Sequence, residues 1–150
     1  MTYTEILEYL KSLAEADPQV NTVTRGEVSK LDLDKQNIYP LVHIDLASGT
    51  FNSARTITYE VYIAALQGRD MNNEVITDKY WGQDNEVDNH NETMIIVQKI
   101  WGQIFREWQN NLLGSDATPS FEKITYAKGN ILDGWALTFN IEVPFDIDLC

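Results

Sequence analysis

Apolar residues occupy every second position from Trp135 to Ile147: Trp135, Leu137, Phe139, Ile141, Val143, Phe145 and Ile147. Ala136, Thr138, Asn140, Glu142, Pro144 and Asp146 stand between them. Side chains alternate across a strand, so the pattern predicts a long strand with one apolar and one wet face. Pro144 cannot donate to a ladder, which places the end of this strand at a sheet edge.

A different period precedes it. From about Asp84, Val87, Met94, Val97, Ile100, Trp101, Ile104, Phe105, Trp108 and Leu112 recur at steps of three and four, the stripe of an amphipathic helix. Gly114-Ser115 ends this helix and Pro119 follows. A second helix opens the chain over residues 3–16. Thr2 and Glu5 have capping-box spacing, and Ile6, Leu7, Leu10, Leu13 and Ala14 form its stripe. Asp17-Pro18 stops it, because proline disfavours the helical region for the residue before it.

The remaining runs predict strands. A short one covers Asn21 to Val28, and Asp32 to Asn37 is a polar loop. After Pro40, Val42, Ile44 and Leu46 share a face, and Ser48-Gly49-Thr50 reads as a turn or loop start. Across residues 56–66, Ile57, Tyr59, Val61 and Ile63 face one way and Thr58, Glu60 and Tyr62 the other. These two runs make consecutive antiparallel strands with an excursion around Phe51 to Arg55. Gly68 to Gln83 is polar and reads as a loop with a short helical turn, and Phe121 to Ala127 pairs with the last strand through Lys128-Gly129-Asn130. The expected fold class is α+β: an antiparallel or mixed sheet, with the N-terminal helix and one long amphipathic helix packed on one face. No internal repeat is visible, and 150 residues read as a single domain able to bury a core.

Composition narrows the function classes. Twenty-three acids against 11 bases give a net charge of −12, which argues against a protein that grips nucleic acid through clustered Lys and Arg. An acidic wall past which DNA slides is compatible with the same balance. No apolar run reaches the ~18 residues of a membrane span, and the first residues lack a signal-peptide pattern. The single cysteine, Cys150, allows no intrachain disulfide, and synthesis in the cytoplasm is the simplest reading. As a nucleophile it is disfavoured by its position at the end of the chain.

Two clusters invite chemistry. Asp84, Glu86, Asp88, His90 and Glu92 could hold a divalent cation, but their spacing matches no EF-hand or HExxH motif. Acids complementing the dipole at the start of the long helix are the plainer reading, so no metal and no cofactor are expected. His43 and Asp45, two apart on one side of a strand, resemble a base and its orienting carboxylate, yet no nucleophile accompanies them. A solvent-facing strand histidine is the plainer reading. No Walker loop, GxGxxG or paired CxxC occurs, and no catalytic residue is assigned.

Trp101 and Trp108 share a helix face and Trp135 the inward strand face, all reading as core. Trp81, beside Tyr80 and Gly82 in a polar segment, reads as a contact anchor or as packing beneath its loop. On the wet side of the last strand Glu142 and Asp146, with Asp148 just beyond, would line an acidic lumen if copies formed a ring. In a monomer they are a solvated face.

The order of helix, strands, long helix and strands at this length resembles the tail-terminator and neck, or head–tail connector, ring proteins of tailed bacteriophages. The likeness runs from the opening helix Tyr3 to Ala16, through Ile38-Tyr39-Pro40-Leu41-Val42 and the strand Thr56 to Leu66, to the helix Val87 to Leu112. It implies a virion protein without catalytic residues, made in the host cytoplasm. Copies would assemble with themselves into a sixfold or twelvefold ring, contact other neck or tail proteins, and surround DNA without binding it specifically. Expected interface residues are Tyr80, Trp81, Glu142, Asp146 and Asp148. The polar insert 68–83 and the acidic tail depart from the pattern. The alternative is a small α+β pocket protein, a ligand-binding module or a hydrolase or isomerase, with Tyr59, Tyr62, Trp101, His43 and Asp45 as candidate lining. Strand alternation puts Tyr59 and Tyr62 on opposite faces, so only a bulge would bring both to one pocket.

Overall fold

A computed structural model describes residues 2–26, 39–52, 55–69, 86–109, 114–115, 119–128 and 130–144. Its elements are α1 (Tyr3–Glu15), β1 (Thr22–Arg25), β2 (Leu41–Asn52), β3 (Thr56–Gly68), α2 (Glu86–Gln109), β4 (Gly114–Ser115), β5 (Ser120–Lys128) and β6 (Asn130–Pro144). They form an α+β fold in which one mixed sheet carries both helices. The sheet order is β1-β2-β3-β6, with β4 and β5 both pairing with β6 along its far side. Among the described strands only β1 and β2 run parallel. Among the described residues no helix is long and apolar enough to cross a membrane.

Local chemistry explains the helix starts. Thr2 Oγ1 accepts from the Glu5 N–H at 3.3 Å while the Glu5 carboxylate accepts from the Thr2 N–H, the reciprocal capping box that the sequence predicts. α1 ends at Glu15, and Asp17 then ties it to its neighbour: its carboxylate accepts from the Gln19 N–H at 3.0 Å and lies 3.6 Å from Lys99 Nζ on α2.

The alternation in the strands sorts the core as expected. Leu137, Phe139, Ile141 and Val143 of β6 meet Val61 and Ile63 of β3 and Val42 and Ile44 of β2. Ile6, Leu10 and Ala14 of α1 and Ile96, Val97, Ile100 and Ile104 of α2 cover them. Trp135, Trp101, Ile57, Tyr59 and Leu46 pack at its border.

Several expectations need correction. The buried face of α2 is rotated from the apolar stripe: Asn89, Thr93 and Ile96 are buried, whereas Val87 and Phe105 are exposed. Thr93 can be buried because its hydroxyl donates to the Asn89 carbonyl at 2.7 Å, and Asn89 because its amide donates to Gly68 O at 3.0 Å. Gly114-Ser115 pairs with Glu142 and Ile141 as a short strand, and α2 ends at Gln109. Ser48-Gly49-Thr50 is no turn, since β2 continues to Asn52 with a bulge between Leu46 and Ser48.

β6 is longer and more central than the alternation suggests. It starts at Asn130, and all thirteen positions of β3 pair with it, from Gly68↔Leu132 to Thr56↔Pro144. It is an interior strand over most of its length, while at its end Pro144 pairs with Thr56 of β3 alone among the described strands, as a residue without an N–H requires. Nor is the second face wholly wet. Leu41, Ala64, Leu66, Leu132 and Ala136 form a buried apolar cluster there, with Tyr39, Tyr62 and Ile124 against it.

Candidate functional site

The densest polar constellation lies where β3 ends, α2 begins and β6 enters the sheet. Asp133 sits on the helix-facing side of β6, two residues before Trp135, with its side chain fully buried. Arg69, one residue past β3, meets it with a paired grip: Nε donates to Oδ2 at 2.9 Å and Nη2 to Oδ1 at 2.6 Å. Thr125 Oγ1 of β5 donates to Oδ1 at 3.4 Å, and Asn89 Nδ2 to Oδ2 at 3.4 Å. Burial pushes the carboxyl upward. The Arg69 and Asn89 hydrogen bonds and the charges of Arg69 and His90 outweigh it, so the Asp133 pKa lies below the ordinary carboxylate value.

Of the five residues read as a possible metal cluster, the structure brings together Glu86 and His90. They stand one turn apart on α2, and Asp133 joins them with the ligating atoms within 4.8 Å of one another. Asp88 is exposed, Glu92 accepts a hydrogen bond from Gln67 at 3.1 Å, and Asp84 lies outside the described residues. The place a cation would take is occupied by Arg69, whose Nη2 is also 3.4 Å from Glu86 Oε1. His90 Nε2 is buried without a hydrogen bond, 4.0 Å from Asp133 Oδ1, and the His90 carbonyl accepts from Trp135 Nε1 at 2.9 Å. The arrangement acts as a charged clasp holding three elements at one corner. Asp133 escaped the sequence reading because a carboxylate interrupts the inward apolar alternation. A lone Asp at an inward position, with an Arg one residue past the neighbouring strand, was the available signal.

His43 is not solvent-facing: it is 1% exposed. Its Nε2 lies 2.6 Å from the Gly26 carbonyl and its Nδ1 2.7 Å from Thr24 Oγ1. A carbonyl can only accept, so Nε2 bears the proton, and Nδ1 accepts from the Thr24 hydroxyl. Both ring nitrogens are therefore used in tying β1 to β2. Burial lowers the His43 pKa, against the opposing pull of the Gly26 hydrogen bond and the Asp45 charge. The residues proposed to line a pocket do not converge. Tyr59 and Trp101 pack on the helix-covered core and Tyr62 on the cluster of the other face.

Among the expected interface residues, Glu142 is exposed on the second face, where its carboxylate accepts from Thr56 Oγ1 at 2.7 Å. Glu60, also exposed, accepts from Ser48 Oγ at 3.0 Å. On this part of the sheet Thr58 pairs with Glu142 and Glu60 with Asn140, giving an acidic polar surface. Tyr80, Trp81, Asp146, Asp148 and Cys150 lie outside the described residues.

At the distal end of the β2–β3 hairpin Phe51 pairs with Ile57 and so stands on the face opposite Glu60 and Glu142. From Ala47 to Phe51 the residues of β2 are exposed, and Phe51 is 78% exposed near the turn. The chain matches no known protein-family model and no curated protein.

Proposed function

We propose that this protein is a structural ring subunit of a tailed-phage neck or tail end, assembled from copies of itself around the DNA channel and contacting other neck or tail proteins. The observation that carries the reading is the distal β2–β3 hairpin. Its strands run 12 and 13 residues, well beyond the ~5–6 of a typical strand. β3 stays paired with β6 along its whole length, whereas Ala47 to Phe51 of β2 are exposed, so the distal end of β2 stands open with Phe51 outward. An exposed aromatic on a strand that the sheet holds rigid is suited to a protein contact.

Glu60 and Glu142 on the second face supply an acidic wall, in keeping with the net charge of −12. Such a wall repels phosphate, so cargo DNA passes without sticking. The protein acts by assembly, and its buried clasp at Asp133 is structural, not catalytic.

The test is light scattering across a concentration series with negative-stain imaging. Closed rings of several 17.2 kDa subunits are the expected result. A single-subunit mass at every concentration, with no assembly on neck or tail partners, overturns the reading.

A further inference from the structure

The clasp contains one group that it does not use. Arg69 bridges its two carboxylates, with Nη2 2.6 Å from Asp133 Oδ1 and 3.4 Å from Glu86 Oε1. His90 stands beside them, yet its Nε2 is buried and makes no hydrogen bond, 4.0 Å from Asp133 Oδ1. A buried ring nitrogen without a partner costs stability and calls for a reason. Nor is the ring loosely placed. It packs edge-on against Trp135 with centroids 6.2 Å apart, and Trp135 Nε1 donates to the His90 carbonyl at 2.9 Å.

We propose that Glu86, His90 and Asp133 form a Zn²⁺ site, which the cation enters by taking the place of the Arg69 guanidinium. Glu86 and His90 stand four residues apart on one face of α2, and Asp133 meets them from β6. Each offers one ligand atom within 4.8 Å of the others. Ligand atoms on a tetrahedral Zn²⁺, with bonds of ~2.0–2.2 Å, stand ~3.4 Å apart, so these separations need to close by about 1.4 Å at most. One imidazole with two carboxylates suits Zn²⁺, whereas Mg²⁺ and Ca²⁺ favour oxygen ligands throughout.

Charge and support favour the exchange. Two carboxylates share one guanidinium, and a dication in its place balances both. Asn89 Nδ2 and Thr125 Oγ1, each 3.4 Å from the Asp133 carboxylate, bond to it independently of Arg69 and keep it oriented when the guanidinium leaves. The Glu86 side chain is 40% exposed, which gives the cation an entry from solvent. Arg69 lies one residue beyond Gly68↔Leu132, the last pair of the β3–β6 ladder, so its backbone is not tied by that ladder.

Adding Zn²⁺ to the EDTA-treated full chain tests the site, read by thermal melting and titration calorimetry, with Co²⁺ absorption as a spectroscopic probe. The unaltered chain should melt higher with Zn²⁺ and bind one equivalent, and Mg²⁺ at the same concentration should leave the melting unchanged. His90→Gln removes a ligand but no hydrogen bond of Nε2. Its metal-free melting should therefore change little, while the Zn²⁺ shift and the Co²⁺ bands disappear. Arg69→Met should tighten Zn²⁺ binding at least about tenfold, because the cation no longer displaces a buried ion pair. Should that variant fold only with Zn²⁺ present, the site is supported as well. No Zn²⁺ response in the unaltered chain, or a response that His90→Gln retains or Mg²⁺ reproduces, overturns the site, the last two as attraction to a chain of net charge −12. None of these outcomes depends on ring assembly.

Discussion

Arg69 and Asp133, 64 positions apart, form a two-bond ion pair with the carboxylate wholly buried. Removing one partner of such a pair leaves the other charge desolvated and unmatched. Arg69→Met is expected to destabilise the fold by about 3–5 kcal/mol, measured by urea denaturation at neutral pH. A loss under 1 kcal/mol would mean that the carboxylate is reached by water.

The same carboxyl sets an acid limb. Its folded pKa is below that of an ordinary aspartate, so its contribution is fully present above the ordinary value and disappears as pH falls through the lower folded value. Denaturation midpoints between pH 5 and pH 2 should fall, and Asp133→Asn should flatten that limb while lowering stability at pH 7.

His43 predicts a second, higher window. Its folded pKa lies below 6.5, so the unfolded chain takes up the proton first and stability drops as pH falls from about 7 towards 5. His43→Gln should lower stability at pH 7.5 and make the slope between pH 7 and 5 shallower. An unchanged slope would assign this window to other groups.

Gly134 interlocks with β3. A Cβ built there would collide with the Ala65 carbonyl, a backbone atom that the β3–β6 ladder holds in place. Gly134→Ala should cost about 3 kcal/mol, the upper part of the range for overpacking, read from thermal or urea unfolding. Gly102, with open space around its Cβ position, serves as the control: Gly102→Ala in α2 should be stabilising.

Phe51 separates folding from assembly. Phe51→Ser alters a residue 78% exposed, so the melting of the isolated subunit should change little. The concentration needed for ring formation should rise at least about tenfold, equivalent to about 1.4 kcal/mol of contact energy. Equal assembly of both proteins in light scattering would relieve Phe51 of that role.

Glu60 and Glu142 test the acidic wall. Replacing both by Lys should convert a ring that ignores duplex DNA into one that retains it at low salt and releases it as salt rises. Retention by the unaltered ring would place a different surface towards the channel.

Alternation and helical spacing were enough to read α1 with its capping box, the inward faces of β2, β3 and β6, and the existence of α2. Those features depend on residues near one another in the chain, and the need to bury Leu137, Phe139 and Ile141 expresses itself directly as a period of two. The site was legible only in fragments: Glu86 and His90 stood out as a pair, but Asp133 did not.

What the sequence by itself determined is the order of the elements, the α+β class and the apolar side of each strand, because local periodicity dictates which face must leave water. What the tertiary structure decided is how those faces meet. Asp133 and His43 are buried because Arg69, and Thr24 with Gly26, arrive from distant positions to satisfy them. β6 is interior because β3 takes one side and β4 and β5 the other, and α2 turns polar Asn89 and Thr93 inward to serve Gly68 and the helix itself. A polar side chain's burial depends on a partner supplied by another part of the chain, and no local pattern records where that partner will come from.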